Sequence, residues 1–546
     1  MDPYCHQRLG ILEIAHENLD FRRALRLLLA PQKDGFNWER IRAGDEVTRL
    51  KIYAMSAEIY DYAGQYPKAR EFIETDGRLS ETILRNISGE KPEDRKLLKQ
   101  RVWILIHWAL TFYRAHHYKR ARELLLFCDE TLKKLVITSP APCAWTQSRI
   151  YYCLGLVERQ DYDYKKARHW FTKSIEMAGT SFELKTRNVI STDPIYERAK
   201  RLTNFYVAKS LALGLAWTYY TEGSLELASS LVNTARLLLS ATNEVVIRNY
   251  IEILSGSILA AQGRRQEAIK SVKAAYDMLG KHDAYRIRAA HELALAYVHE
   301  YTREPSLENH QKAEHYINEV KKFSDIRWMC NALVTESRLL RATGNFQGAE
   351  ETAREAFNLG SDQRFVKIDS LIARGEARLE LNKVDEACQD FMTAQSEGLD
   401  NRKVQAVCHL HLTRAYLQKG DHSLALRHHA EATRHVGHVD NAFVRQLAQT
   451  VDRMIERATG ADFYIPFSTL ELDPWEMEQK LRAFFTKWAK HKSAENEPWK
   501  VLRVSKQTFY NWKSDSGTAG GSGKVANAKR ERKSKPKEPD QPSREP

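Results

Sequence analysis

The stretch GNFQGAEET, Gly344 to Thr352, decides how this chain is read. A glycine opens it, a short polar turn follows, and Ala349 then stands inside a run with helical spacing. The same order recurs in GQYPKAREF from Gly64, YDYKKARHWF from Tyr162, NKVDEACQDF from Asn382 and GDHSLALRH from Gly420. In each, a turn residue precedes an alanine: Ala69, Ala167, Ala349, Ala387 and Ala425. Ala24, Ala121, Ala228, Ala268 and Ala313 fill the same slot elsewhere, which makes about ten units.

Two flanking positions follow the slot along the chain. About twelve residues before it stand Ala57, Ala109, Gly155, Ala216, Gly256, Ser337, Gly375 and Thr413; about seven after it stand Ala235, Ala275, Ala356, Ala394 and Ala432. The cause is steric. Two antiparallel helices joined by a tight turn approach most closely along one line, where only a small side chain fits. Tyr60, Phe112, Tyr219 and Tyr416 on first helices, with Ile73, Phe171, Val272 and Phe391 on second helices, fill the rest of the seam. Pro67 falls at the start of a second helix, where its missing N–H costs nothing. No stretch alternates apolar and polar residues long enough for a sheet, so the expected fold is all-α.

The pattern resembles the tetratricopeptide repeat family over roughly residues 8 to 440. Ala349, Ala387 and Ala425 recur close to that family's period of about 34 residues. Towards the N-terminus the spacing grows, with inserts at Lys33 to Glu46, Arg78 to Lys96 and Gly179 to Arg198, each either a longer helix or a loop. The resemblance implies a right-handed α-solenoid of about ten helical hairpins, whose concave groove is lined by first helices. It also implies a protein or peptide segment as the partner in that groove. Arg338 and Arg414 fall at equivalent first-helix positions, and with Arg341 they could form a basic patch for a carboxylate or phosphate. The full clamp set of chaperone-binding family members is visible in no unit.

Composition narrows the function. The 546 residues carry a net charge of +13 and 43% hydrophobic residues, a balance that favours polyanionic partners. Seven cysteines lie scattered with no CxxC pair, as in a reduced cytoplasmic protein. MDPYCHQRLG lacks the layout of a secretion signal, and no apolar run approaches the roughly 20 residues that span a bilayer. A soluble cytoplasmic protein without membrane partners is expected. AHELALAYVHE from Ala290 lacks the second histidine of HExxH, since His291 and His299 stand about two turns apart. The histidines of CHLHL at Cys408 and RHHAEATRHVGH at Arg427 have no carboxylate or cysteine at fixed spacing. GTAGGSGK from Gly517 fails as a phosphate loop because Thr518 and Val525 occupy its defining positions. We therefore expect no enzyme, no cofactor and no metal.

Past Val439 the periodicity breaks. The chain divides into 1–458, the array with a capping helix over Asn441 to Ala458; 459–473, a connector; 474–514, a small helical module; and 515–546, a Gly/Ser linker with a disordered basic tail. Asp473 and Pro474 open WEMEQKLRAFFTKWAKHK, an amphipathic first helix. A second helix over about Glu497 to Leu502 leads through Arg503–Val504 to Ser505, the N-cap of a third. Phe509 would point inward, and Lys506, Gln507, Thr508, Tyr510, Asn511 and Lys513 outward. Gln and Asn can pair with adenine edges, Lys with guanine or phosphate, and a Thr methyl with thymine.

This segment resembles the helix-turn-helix of bacterial regulators over about twenty residues, although Arg503 replaces the usual turn glycine and Trp499 a small residue. The resemblance implies duplex DNA as a partner. The expected protein is a DNA-binding regulator in which the array docks a protein or peptide. The alternative is a non-enzymatic scaffold subunit whose C-terminal helices make protein contacts. One small module seldom suffices for tight DNA binding, so a homo-oligomer or an assisting partner is expected.

Overall fold

The computed structural model describes residues 2–459, apart from short segments at 18–19, 31–35, 63–64, 87–94, 137–140, 188, 190, 241–244, 281–284 and 324. Residues 1–458 form one compact unit. The segment 460–546, which holds the expected helix-turn-helix and basic tail, lies outside the described residues.

Among the described residues every regular element is a helix, and the helices come in consecutive pairs. Hairpin 1 is α1 (Pro3–Glu17) with α2 (Phe21–Leu29), followed by a short α3 (Trp38–Arg42). Hairpin 2 is α4 (Glu46–Tyr62) with α5 (Tyr66–Arg85), hairpin 3 is α6 (Arg95–Arg114) with α7 (Tyr118–Val136), and hairpin 4 is α8 (Ala141–Gln160) with α9 (Tyr164–Thr186). In hairpin 5, α10 (Pro194–Lys209) runs through a π-helical turn, Ser210–Ala216, into α11 (Trp217–Glu222), and the three act as one first helix against α12 (Leu225–Leu239). Hairpins 6 and 7 are α13 (Val246–Ala261) with α14 (Arg265–Met278), and α15 (Arg286–Arg303) with α16 (Leu307–Lys321). Hairpins 8, 9 and 10 are α17 (Ile326–Ala342) with α18 (Phe346–Gly360), α19 (Arg364–Glu380) with α20 (Val384–Glu397), and α21 (Arg402–Gln418) with α22 (His422–Val436). A single helix, α23 (Ala442–Thr459), closes the array with Val444, Ala448, Val451 and Ile455 buried along one stripe. The protein is an all-α solenoid of helical hairpins.

The tight turns explain why the sequence repeats. Seven of them hold one residue in the left-handed region: His116, Tyr162, Gly223, Gly263, Gly344, Asn382 and Gly420, with φ between 60° and 89°. The N–H of the next residue then donates to a carbonyl of the last helical turn, as from Asn345 to Leu340 at 2.9 Å and from Asp421 to Tyr416 at 2.9 Å. With the left-handed residue's own N–H donating as well, from Gly344 to Arg341 at 3.1 Å and from Gly420 to Leu417 at 3.0 Å, this pair of hydrogen bonds ends the helix. The residue after it starts the next helix, and the side chains of Asp163, Asn345 and Asp421 accept from the exposed N–H groups there. One turn on stands the repeat alanine. Ala69, Ala167, Ala228, Ala268, Ala349, Ala387 and Ala425 are each the fourth residue of a second helix, and none is more than 5% exposed. Ala313 is instead the seventh residue of α16, one turn further into its helix, although the preceding turn, 304–306, is three residues long like most of the others.

Opposite this slot the first helix comes close. A Cβ built on Gly256 would meet Val272 Cγ2 at 2.3 Å, and one on Gly375 would meet Phe391 at 2.7 Å. At the corresponding place in hairpin 8, Ser337 Oγ donates to the Ala349 carbonyl at 2.7 Å. The N-terminal inserts are helical over much of their length: Arg78–Arg85 extends α5, and Gly179–Thr186 extends α9 to 23 residues.

First helices touch one another from hairpin to hairpin, α4 on α6, α13 on α15, α15 on α17 and α17 on α19, so they form the inner layer. The superhelix also meets itself. Arg364 Nη1, at the start of hairpin 9, donates to the Asp161 carbonyl in the turn of hairpin 4 at 2.8 Å. Asn401, at the start of hairpin 10, donates to Tyr164 Oη at the start of α9 in hairpin 4 at 3.2 Å and lies 3.5 Å from the Thr221 carbonyl near the end of α11 in hairpin 5. The Asp440 N–H reaches the Gly223 carbonyl at 2.9 Å, and Arg265 in hairpin 6 reaches Gln446 of α23 at 3.2 Å. Hairpins 4, 5 and 6 thus meet elements five or six places further on.

A candidate ligand-binding inner face

The inner layer brings together charged side chains that lie far apart in sequence. Arg338 on α17 lies within electrostatic reach of His291 and His299 on α15, Asp369 and Glu376 on α19, and Lys403 on α21. All of these helices are first helices. The expected trio Arg338, Arg341 and Arg414 therefore shares one face, but its members differ in state. Arg341 is neutralised one hairpin on, with Nη2 3.4 Å from Glu376 Oε2. Arg414 lies 3.3 Å from Glu380 Oε1 on the neighbouring α19. Arg338 has no hydrogen bond or ion pair with any described residue. Burial would raise the carboxyl of Glu376, but Arg341 and His411 outweigh it and hold the group well below the ordinary carboxylate range.

A second set of cations stands at the N-terminal ends of first helices. Arg327 and Lys403 each lie 22 residues ahead of a repeat alanine, Ala349 and Ala425, a shared offset that the sequence displays and that the Arg338 and Arg414 alignment passes over. Arg288 holds the corresponding place on α15. Each of the three reaches an aromatic ring: Arg288 Cζ is 3.6 Å from the Trp217 centroid, Arg327 Cζ 5.0 Å from Trp328 and Lys403 Nζ 6.0 Å from Tyr220. Arg288 also pairs with Glu292 at 3.2 Å. Arg327 and Lys403 have no carboxylate within ion-pair distance among the described residues, although Asp369 lies further out from Lys403 and Arg338 together. Burial pushes the Asp369 carboxyl up against the pull of those two cations, and burial with Arg338 pushes Lys403 down.

Towards the N-terminal half the same face holds Tyr113, Arg114, Arg149 and Arg159. Arg149 is buried, with Nη1 2.7 Å from Glu58 Oε2 and Nη2 3.1 Å from His107 Nε2. A guanidinium only donates, so His107 accepts at Nε2. Arg114 makes a two-pronged contact to Asp61 at 3.1 and 3.2 Å. Arg159 binds the Leu213 carbonyl inside the π-helical turn of hairpin 5, where the widened backbone exposes an acceptor. Around Tyr113 burial opposes ionisation, yet Arg159, Arg327 and Arg114 together bring its hydroxyl below the ordinary tyrosine value. His291 is pushed down to about 3 by burial and by Arg288, Arg338 and Arg327. The face is thus positive, aromatic and incompletely compensated.

His291 and His299 both turn inward; His291 lies 3.4 Å from Thr335 Oγ1, and His299 stacks on Phe443. His409 and His428 face each other at 3.0 Å between α21 and α22. Lys506, Gln507, Thr508, Tyr510, Asn511 and Lys513 lie outside the described residues. Among the described residues no helix is long and apolar enough to cross a membrane.

No family model and no curated protein matches the sequence. Solved structures similar to it are helical-repeat proteins. One is the Rap protein complexed with competence and sporulation factor, at 13% identity, covering 73% of this chain and 99% of that chain, with a TM-score of 0.44. Another is the apo form of the quorum sensor NprR from B. thuringiensis, at 14% identity over 72% of this chain and 98% of that one, with a TM-score of 0.43. A tetratricopeptide repeat protein from Parabacteroides merdae is 12% identical over 56% of this chain and 97% of its own, with a TM-score of 0.34. At these identities the likeness is one of fold.

Proposed function

We propose that this protein is a non-enzymatic regulator whose inner face docks an extended peptide or protein segment. The observation that supports this reading is the aromatic-rich, incompletely compensated cationic lining contributed by successive first helices, where Arg327, Arg338 and Lys403 have no carboxylate within ion-pair distance among the described residues and the more distant Asp325 and Asp369 act on them. Rows of cations over aromatic rings hold an acidic segment through both charge and ring contact. Selection of peptides from a displayed random library on the immobilised protein tests it. The wild type enriches a family of sequences rich in Asp or Glu; Arg327→Glu with Lys403→Glu loses them, and Arg434→Glu on the outer α22 keeps them. Enrichment that survives the inner double substitution refutes the docking face.

The second half of the reading is that residues 474–514 contact duplex DNA, supported by the residue types of the stretch from Lys506 to Lys513. Anisotropy titrations against DNA at two salt concentrations test it. Gln507→Ala with Asn511→Ala should reduce sequence preference, whereas neutralising Lys524, Lys529 and Arg530 should weaken all sequences alike. No binding by the wild type leaves the scaffold alternative.

A further inference from the structure

Six of the chain's 19 histidines lie in hairpin 10, which makes it the part of the array richest in groups that titrate near neutrality. Two of them bridge its helices: His409 Nδ1 on α21 stands 3.0 Å from His428 Nδ1 on α22. His409 is buried and His428 half-buried. Near-parallel rings flank the pair, His435 on His409 with centroids 6.0 Å apart and Tyr416 on His428 at 5.3 Å. An imidazole nitrogen donates or accepts according to where its proton sits, and here the neighbouring groups fix that place.

The order of bonds starts at the backbone. Gln405 faces the carbonyls of Gln395 at 2.8 Å and Gly398 at 3.0 Å, so the atom it turns to them is its amide nitrogen. Its Oε1 then accepts from Gln395 Nε2 at 3.3 Å. The same Nε2 lies 2.7 Å from His409 Nε2, and because an amide nitrogen only donates, that ring nitrogen accepts. His409 therefore carries its proton on Nδ1 and donates it to His428 Nδ1. Two carbonyls at the C-terminal end of α20 thus dictate that the pair holds one proton between its facing nitrogens. A further proton has no place. On His428 Nδ1 it sets two N–H groups face to face. On His409 Nε2 it meets the Gln395 amide, whose rotation would turn its oxygen against that of Gln405.

The surrounding charges do not rescue the cation. Glu431 on α22 acts on His409, His428 and His435 alike, opposed by Arg427 at His428 and by Arg402, Arg434 and His438 at His435. Burial is the largest cause at all three and lowers each; with His428 and His435 it pushes His409 down to about 4. Two other histidines of the hairpin differ. His411 Nε2 lies 3.2 Å from Glu376 Oε1 on α19, and His429 Nε2 lies 2.9 Å from Asp452 Oδ1 on α23. A proton on either ring still points an N–H at a carboxylate. We propose that hairpin 10 is an acid-sensitive clasp: one proton taken up by the His409–His428 pair parts α21 from α22, while α21 stays on α19 and α22 on α23. At the start of α21 stand Asn401, with its bonds to hairpins 4 and 5, and Lys403 of the inner face, so the clasp couples acidity to the closure of the superhelix. It is independent of what the inner face binds.

Hydrogen exchange of the full-length protein, read by mass spectrometry and corrected for intrinsic exchange, tests the clasp. For a ring at about 4 when closed and about 6.5 when freed, the opening constant of the α21–α22 contact rises about 30-fold between about pH 7.5 and about pH 5. The helix α14, which holds no histidine, should change little over the same interval. Gln395→Glu gives His409 Nε2 a carboxylate, so the closed pair keeps the added proton and the rise falls below about threefold. His409→Gln removes the buried titrating ring, leaves an amide that can accept from protonated His428, and does the same. His291→Gln in hairpin 7 leaves the rise intact. Each variant is first checked at the higher pH for wild-type exchange in α14, and the wild-type comparison stands even if a variant fails to fold. The clasp is refuted if hairpin 10 opens no more in acid than α14 does, or if α19 and α23 open along with it. It is equally refuted if the rise survives both hairpin substitutions or is removed by His291→Gln.

Discussion

Replacing Gly256 by alanine probes the seam directly. In the interior of α13 the substitution on its own helps, because alanine is better than glycine in a helix by about 1 kcal/mol. The seam opposes it. The new Cβ would stand 2.3 Å from Val272 Cγ2 and 3.2 Å from the Ala268 carbonyl. Val272 is 3% exposed and can shift only by displacing its own neighbours, while the carbonyl is held in the helix. Overpacking of this kind costs about 1–3 kcal/mol, which leaves a net loss of about 1 kcal/mol. Gly179, inside α9, is the control: nothing lies within 4 Å of its Cβ position, so alanine there gains about 1 kcal/mol. Urea unfolding of the two variants should thus move the midpoints in opposite directions, separated by about 2 kcal/mol. Adding Val272→Ala to Gly256→Ala should restore part of the loss, a coupling measured by the double-mutant cycle. If Gly256→Ala stabilises as much as Gly179→Ala, the close approach of the paired helices is wrong.

Three further outcomes follow from the same structure. Asn401→Ala removes both the cap of α21 and the contact to Tyr164, for a loss of about 2 kcal/mol; Asn401→Asp keeps the cap and loses only the donor, so its smaller loss in urea midpoint isolates the cross-turn bond. Acid should destabilise the fold from below about pH 6.5. His291 is held down at about 3, so the unfolded chain takes up a proton there that the folded one refuses, and stability falls with pH by up to about 1.4 kcal/mol per unit for this group. His291→Gln should flatten the plot of urea midpoint against pH between 6.5 and 4, and an unchanged slope would reject the assignment. Arg149→Leu removes the buried ion pair with Glu58, leaving Lys209 as the cation acting on that carboxylate, and should cost about 3 kcal/mol by chemical denaturation; a loss below about 1 kcal/mol would show the pair to be solvated.

The hairpins could be read from sequence because their determinants are local. A left-handed turn residue, a capping side chain and an alanine one turn later fall within about six positions, as at Gly344, Asn345 and Ala349. The lengths of α5 and α9 could not be settled that way, since Gly179–Thr186 carries no repeat signal and its one glycine is passed over by a helix that continues to Thr186. The pairing of Arg341 and Arg414 is a middle case. Glu376 and Glu380 stand roughly one repeat away, so their proximity is implied by any stacked array, but only coordinates show that both reach the arginines. The contacts of Arg364 with Asp161 and of Asn401 with Tyr164 leave no trace in spacing, because they depend on rotation accumulated over five or six hairpins. The joint action of Arg159 and Arg327, from hairpins 4 and 8, on Tyr113 is hidden for the same reason.

The relation over five or six places has a consequence for how such a chain can evolve. In an open repeat protein each unit answers only to its immediate neighbours, and copies can be gained or lost one at a time. Here excision of hairpin 6 or 7 would move hairpins 9 and 10 and α23 one place along against hairpins 4 and 5, and the wrap-around bonds of Arg364, Asn401 and Asp440 would find the wrong mates. The number of units between the two halves is therefore fixed as firmly as a gear ratio, and homologous chains of this build should differ by point changes and terminal additions rather than by internal duplication.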